Sequence, residues 1–327
     1  MKANVVRIHR HGGPEVLCHE TVDIPPPGSG EVLIRQTAIG LNYSDIYQRQ
    51  GEAGPHDAYP FPIVLGGQGA GVVEAVGHDV DGFRPGDRVA YLHPGAYADR
   101  RLVPASRLLA LPADISDDVA GAVLLRGLTA EYLLRRLYRV RPGTTMLVHA
   151  AAGGMGLLLG QWGKALGAHT IGTVGSAAKV SVARANGYDA VIDTGTDDFS
   201  PAVLALTGGT GVDVVYDGIG KDGFLPSLDC VRAMGIVISY GTASGNVGMF
   251  DLQALHRKSI IVTRPTLRTW IAARADYEAA ASAVFDALRA GILRGEPARR
   301  YQLADARRAH EDLQARRTTG AAILVPG

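Results

Sequence analysis

Short apolar runs that alternate with polar residues and break at glycine or proline fill the first third of the chain. They lie at residues 32–38, at 63–76 with its GGQGAG run, and in the segment ending in PGDRVAY (85–91). Period-two alternation over such lengths predicts strands, and their density predicts an all-β, barrel-like unit. PPPGSG at 25–30 reads as a surface loop, because strand patterning resumes at once. From about Ala120 the period changes. AGAVLLRGLTAEYLLRRL has helical spacing, and after RPG come the apolar run MLVHA, a glycine cluster and the helical GLLLGQWGKALG. Further apolar runs follow at HTIGTV, DAVID, VDVVYDG, IVISYG and IIVT, most of them separated by enough chain for a helix. This alternation predicts a doubly wound parallel α/β sheet. The last sixty residues return to mixed elements, helical in DYEAAASAVFDALRAG and ADARRAHEDLQARR and apolar in the short AAILVP tail, which is expected to pack back on the first domain.

Composition narrows the function classes. The 327 residues are 46% hydrophobic and 20% charged, with 33 Lys+Arg against 32 Asp+Glu, which disfavours a general nucleic-acid or anionic-membrane surface. Glycine is the outlier at 42 residues, which predicts tight turns and ligand loops. Two cysteines, Cys18 and Cys230, are too few for a disulfide framework or a four-thiolate zinc site and fit a reducing compartment. Lys, Arg and His interrupt the first apolar residues too early for a secretory signal, and no run reaches a membrane span, so the expected location is cytoplasmic.

The strongest chemical signal lies in HAAAGGMG (149–156). Read against G-x-G-x-x-G it offers Ala151, Gly153 and Gly156 directly after an expected strand and at the start of an expected helix. Gly153 lets the backbone approach a pyrophosphate, Gly156 lets the helix pack on the strand, and the helix start presents free N–H groups to phosphate. The second strand of such a unit normally ends in an acid for the ribose 2′-hydroxyl, roughly 20 residues on. Here that place holds Val174 and Gly175, followed by Ser176 and Lys179. A hydroxyl and a cation suit a 2′-phosphate, which favours NADPH over NADH; taken alone, Lys179 also fits an ordinary solvent-facing position.

HGGPEVL (11–17), AIGLNYSD (38–45), VLGGQGAGVVEAVG (64–77), PGDRVAY (85–91), RGLTAEYLL (126–134), HAAAGGMG, GTVGSAAK (172–179), VVYDGIG (214–220) and YQLADARRAHEDL together resemble the medium-chain dehydrogenase/reductase superfamily. Within it they resemble the zinc-free NADPH:quinone oxidoreductases of the zeta-crystallin type. The resemblance spans the whole chain. It implies a GroES-like β-rich catalytic domain whose first segment is 1–125, a Rossmann NADPH-binding domain at 126–265 and a return segment at 266–327 that completes the catalytic domain, commonly as a homodimer paired through the Rossmann sheet. Zinc-dependent members place a Cys in a G-x-C-x-x-D setting and a His–Glu pair after Leu-Gly; here Asn42 stands in the thiolate place and Gly67 and Gln68 in the pair's places, so no metal is expected.

Residue by residue, the resemblance places Asn42, Tyr43, Ser44 and Tyr47 toward the nicotinamide and the acceptor. Asn42 would orient a carbonyl, and Tyr47 fits either stacking on the acceptor or plain packing. For NADPH it implies Thr129 and Tyr132, then Gly153, Gly154, Met155 and Gly156 at the pyrophosphate. Gly175, Ser176 and Lys179 fall at the adenosine phosphate, with Thr194 where some relatives carry a tyrosine. Tyr240, Gly241 and Thr242 follow a late strand, Arg264, Pro265 and Thr266 lie at the domain return, and Arg316 reaches the adenosine phosphate from the tail. His310 shares a stripe with Ala306 and Leu313 and reads as packing. The implied activity is NADPH-dependent quinone reduction. The alternatives are an enoyl or alkenal reductase acting on α,β-unsaturated carbonyls and, from another class, an NADPH-binding RNA-binding or structural protein, for which no basic stripe interleaved with aromatics speaks.

Overall fold

The computed structural model describes residues 1–52, 60–315 and 317–327. The chain divides into two compact units. Met1–Arg126 with Val284–Arg289 and Arg294–Gly327 form the first, and Gly127–Ala283 with Ala290–Leu293 form the second.

The first unit opens with an antiparallel ribbon of β1 (Lys2–Ile8) and β2 (Cys18–Asp23), followed by the long β3 (Glu31–Leu41) and helix α1 (Tyr43–Gln50). The apolar stretch at 63–76 forms two strands, β4 (Ile63–Val64) and β5 (Gln68–Val76). Gly66 breaks it with a φ of 86°, and a Cβ there would lie 2.3 Å from the Tyr97 ring. Then come β6 (Arg88–Leu92), β7 (Arg100–Pro104), β8 (Leu108–Ala110) and helix α2 (Asp117–Glu131), which passes into a wider turn at Tyr132–Leu137.

The second unit alternates strand and helix: β9 (Thr145–Val148), α3 (Gly154–Ala165), β10 (His169–Val174), α4 (Val180–Arg184), β11 (Ala190–Asp193), α5 (Phe199–Leu206), β12 (Val212–Asp217), α6 (Phe224–Cys230), β13 (Val231–Ser239), α7 (Gln253–His256), β14 (Ile261–Thr263), α8 (Leu267–Trp270) and α9 (Arg274–Arg289). The division between the units falls inside α9. The strands pair in parallel in the order β11-β10-β9-β12-β13-β14. β10 and β12 are buried at nearly every position, as in a sheet covered on both faces. Leu147, Val203, Val215, Phe224 and Val237 belong to its core. The strand order changes direction between β9 and β12, which places a ligand crevice outside the carboxyl ends of these strands.

The chain then returns through β15 (Arg299–Gln302), α10 (Ala306–Gln314) and β16 (Ala322–Val325). β16 pairs antiparallel with β3, Ala322 opposite Leu41 and Leu324 opposite Ile39, so the tail completes the first unit's larger sheet. Ala306, Ala309 and His310 are the buried stripe of α10, packed with Leu303 and Leu324 into a core that also holds Ile34, Leu41, Tyr91 and Tyr97. Among the described residues, no helix is long and apolar enough to cross a membrane.

Candidate active site

In the first unit, the candidate chemistry sits where β3 ends and α1 begins. Asn42 is the N-cap residue in extended conformation, and the Asp45 carboxylate three residues on accepts the Asn42 backbone N–H at 2.8 Å. Asp45 is fully buried, which pushes its carboxyl up to about 6, opposed by that hydrogen bond and by one from the Tyr97 hydroxyl at 3.0 Å. The chain of donors behind it is ordered. Since Tyr97 gives its proton to Asp45, its oxygen accepts His310 Nε2–H (2.9 Å), which leaves Nδ1 to accept from the Arg49 guanidinium (3.1 Å). Burial and the Arg49 charge push His310 down to about 3, so it stays neutral. Tyr43 adds a bond from its hydroxyl to the Leu313 carbonyl (3.2 Å), and α10 thereby fixes α1 from behind.

Gln68 sets the other side of Asn42. Its Nε2 donates to the Gly121 carbonyl, and its Oε1 accepts from Leu125 N–H (3.2 Å), so the carboxamide lies along one rung of α2. Oε1 also accepts from Asn42 Nδ2 at 3.3 Å, while Asn42 Oδ1 is buried with no hydrogen-bond partner among the described residues. The approach of β3 to α2 requires Gly40, where a Cβ would lie 2.5 Å from both the Gln68 Cδ and the Gly121 carbonyl oxygen. At Gly67, in contrast, an added Cβ meets nothing within 4 Å. Arg126 is buried with its guanidinium on the Leu41 and Ala122 carbonyls, which fixes the strand end before Asn42. A zinc ion would need thiolate, imidazole or carboxylate at positions 42, 67 and 68; amide, hydrogen and amide stand there, and the Gln68 amide is held by α2, so these residues do not fit the ion.

In the second unit, parallel pairing puts the carboxyl ends of all six strands along one edge. The candidates follow one another there in sheet order: Thr194 after β11, Gly175 and Ser176 after β10, the 150–156 loop after β9, Tyr240 after β13 and Arg264 after β14. Gly153 caps α3 with a φ of −80°, and the N–H groups of Gly154, Met155 and Gly156 begin the helix without intrahelical acceptors. A Cβ on Gly156 would lie 2.3 Å from the Ala150 carbonyl oxygen and 2.7 Å from Ala151 backbone atoms, so the helix and the loop before it meet backbone to backbone. Ala150 itself holds a left-handed φ of 54°. His149, buried just before the loop, ties it down. Ser227 donates its hydroxyl to the Gly223 carbonyl (2.6 Å) and so accepts His149 Nε2–H (2.8 Å), leaving Nδ1 to accept from Thr173 (3.0 Å). Burial pushes this imidazole down to about 4.

At β12 the Asp217 Oδ1 accepts the N–H groups of Ile219 (2.8 Å) and Gly220 (3.1 Å), while its carbonyl accepts Tyr240 N–H (2.8 Å). Gly241 passes so close to Gly218 that a Cβ would lie 2.6 Å from the Gly218 oxygen, and Arg264 donates to the Ser239 carbonyl (2.8 Å). The three segments after β12, β13 and β14 thus form one clasp. Thr129 and Tyr132 are buried, with Tyr132 stacked on Trp270 at 5.3 Å and close enough to Arg264 to feel its charge. Lys179 closes the short turn after Ser176 and is half-buried. Tyr43 and Tyr47 lie on one face of α1 with ring centroids 6.1 Å apart, and Ser44 is exposed beside them. Pro265 and Thr266 follow Arg264 before α8. Arg316 lies outside the described residues.

Asp45, Tyr97, Arg126, His149 and Asp217 escaped the sequence reading. The Asn-x-x-Asp spacing before a helix was the one local signal available, and it marks Asp45. The structure also places Asp193 as the sheet neighbour of Val174, with its Oδ1 turned back to the Gly195 N–H (2.9 Å).

Two family models match the chain: the alcohol dehydrogenase GroES-like domain over residues 28–136 and the zinc-binding dehydrogenase over 154–286. A quinone oxidoreductase of Pseudomonas aeruginosa is 44% identical over 99% of this chain and 100% of its own length. A 2-haloacrylate reductase of a Burkholderia species is 42% identical over 98% of each. The crystal structure of Escherichia coli quinone oxidoreductase in complex with NADPH superposes with a TM-score of 0.94 at 40% identity, covering 99% of this chain and 100% of that one. With both domain models matched, a full-length superposition and full-length identity of this order, the chain belongs to the quinone oxidoreductase family of the medium-chain dehydrogenase/reductase superfamily.

Proposed function

We propose that this chain is an NADPH-dependent quinone reductase that passes reducing equivalents to its acceptor without a metal ion. The observation that carries the reading is the Asn42–Gln68 pair: two of the three positions that would ligate zinc hold amides, and one of these amides is hydrogen-bonded to α2. With no Lewis acid to hold an alkoxide, the acceptor has to delocalise the incoming charge into its own carbonyls, as a quinone does. Bound NADPH supplies a hydride from nicotinamide C4.

The protein's part is binding and orientation. Gly154, Met155 and Gly156 take the pyrophosphate on their free N–H groups and the positive end of α3, and Gly153, without a side chain, lets it come close. Gly175, Ser176 and Lys179, with the Thr194 hydroxyl and Arg316, take the adenosine phosphate. Tyr240, Gly241, Thr242, Arg264, Pro265 and Thr266 border the nicotinamide half, with Thr129 and Tyr132 nearby in sequence to the junction. On the acceptor, Asn42 offers its second Nδ2 proton to a quinone carbonyl, while Tyr47 stacks on the ring. Residues 126–265 act as the nucleotide-binding stretch, flanked by 1–125 and 266–327. The outer edge of β14, unpaired among the described residues, with Ile261 57% exposed and Met249 and Leu252 exposed in the segment before it, supports a homodimer. Two free cysteines support a cytoplasmic location.

A second reading, reduction of an activated alkene, draws support from the 42% identity to the 2-haloacrylate reductase. NADPH oxidation followed spectrophotometrically over a benzoquinone and naphthoquinone panel, beside a panel of α,β-unsaturated acids and aldehydes, separates the two. Quinone turnover insensitive to chelator supports the proposal; turnover of alkenes alone overturns it. Asn42→Ala should lower kcat/KM for the quinone about tenfold, about 1.4 kcal/mol, with the NADPH dissociation constant unchanged.

A further inference from the structure

We propose that the β1–β2 ribbon carries a separate site for a thiophilic divalent cation of the zinc class, formed by His9, Cys18 and Glu20. The ribbon's register sets Arg7 opposite Cys18 and Val5 opposite Glu20. Alternation puts Ala3, Val5 and Arg7 on one face with Cys18, Glu20 and Val22. At one end this face is apolar: Ala3 and Val5 pack with Ala98, Val22, Ile24 and Val64. At the other end it turns into ligand chemistry. His9, one residue past β1, Cys18 and Glu20 each present one ligand atom, all within 4.8 Å of one another.

A tetrahedral zinc ion with bonds of about 2.0–2.3 Å separates its ligand atoms by about 3.3–3.6 Å. His9 Nε2 and Glu20 Oε1 now stand 2.7 Å apart, joined through one proton, so the ion takes the place of that proton and pushes the two slightly apart. The His9 side chain is 53% exposed and free to make the adjustment by rotation. Arg7 Nε holds the other carboxylate oxygen at 2.6 Å, which fixes the carboxylate with Oε1 turned to His9, as outer partners fix metal ligands. Binding breaks the Cys18 S–H bond, forms a sulfur–metal bond and releases one proton to solvent; His9 keeps its proton by moving it to Nδ1, no electrons are transferred, and a water completes the fourth position. One nitrogen, one sulfur and a single carboxylate select zinc-like ions over magnesium or calcium. The Arg7 charge weakens the site and makes occupancy reversible. None of its residues belongs to the Asn42 loop or the nucleotide edge.

Cobalt(II) is the spectroscopic probe. Titration of the reduced, chelator-stripped full-length protein should give a thiolate-to-cobalt charge-transfer band saturating at one equivalent per chain, displaced by zinc and strengthening as pH rises. Cys18→Ser should abolish the band, and His9→Ala should weaken binding at least about tenfold. Both variants should keep wild-type melting temperature and NADPH oxidation rate, which separates loss of ligand from loss of fold. Absence of the band in wild type, its survival in Cys18→Ser, or unchanged affinity in His9→Ala each overturns the proposal.

Discussion

Replacing Gly156 with alanine tests the point where nucleotide binding depends on backbone packing. The added Cβ lands 2.3 Å from the Ala150 carbonyl oxygen and 2.7 Å from Ala151 Cα and carbonyl carbon. Every one of these is a main-chain or carbonyl atom, so no side chain can swing aside; relief to an ordinary contact requires α3 to withdraw from the loop after β9 by about 1 Å. Overpacking of this kind costs about 1–3 kcal/mol, and rigid neighbours put it at the upper end. In a unit of this size that lowers the melting temperature by about 4–10 °C. The same shift carries the Gly154 and Met155 N–H groups off the pyrophosphate, and NADPH affinity should fall at least about tenfold, about 1.4 kcal/mol. Gly153→Ala is the comparator. Its φ of −80° and ψ of 167° suit alanine, and its Cβ lies 3.1 Å from the nearest atom, the Ala150 oxygen, so its stability should stay within about 0.5 kcal/mol while NADPH binding still weakens. Thermal melts and NADPH fluorescence titrations read both quantities. A Gly156→Ala protein that melts within 1 °C of wild type and binds NADPH within twofold would refute the reasoning, because the contact would then be soft.

Lys179→Glu should raise KM for NADPH at least about tenfold and leave KM for NADH little changed, which steady-state kinetics with both nucleotides decides. Asp45 holds Asn42 N–H and Tyr97 as an anion, so kcat/KM for quinone should fall as pH drops through about 6, and Asp45→Asn should flatten that limb of the profile. His149 is a base pushed down to about 4 in the folded protein against 6.5 unfolded. Its contribution to stability is therefore complete above pH 6.5 and lost as pH falls toward 4, a change of about 3 kcal/mol. Urea unfolding of wild type and His149→Asn at pH 7 and pH 4.5 should show the gap between them shrinking by nearly that amount; a constant gap contradicts the buried neutral imidazole.

The glycine loop was legible because its chemistry is local: spacing, the strand before and the helix after are all written within about twenty residues, and in the structure Gly156 packs the helix start against Ala150 and Ala151 while Gly153 caps it. The parallel doubly wound sheet followed from the alternation of apolar runs with helical segments, while its strand order came only with the fold. The stretch at 63–76 shows the limit of patterning, since the break at Gly66 comes from the Tyr97 ring, thirty-one positions away in sequence and invisible to periodicity. His310 illustrates the same limit in the site. Its stripe with Ala306 and Leu313 places it in the interior, yet its partners Tyr97 and Arg49 come from distant segments, and only the fold shows that it is a polar link. The absent acid after Val174 was correct along the strand, but the neighbouring strand brings Asp193 alongside, which a linear reading cannot register.

Gln68 carries an engineering lesson. Converting this scaffold into a zinc enzyme looks like a matter of exchanging Asn42, Gly67 and Gln68 for Cys, His and Glu. A glutamate at 68, however, has no proton to give the Gly121 carbonyl, and sets two acceptors against each other inside a helix that also receives Leu125 through the same side chain. The change would loosen α2 before any ion arrived. Conversion therefore begins with redesigning the start of that helix, and ligand grafting comes second.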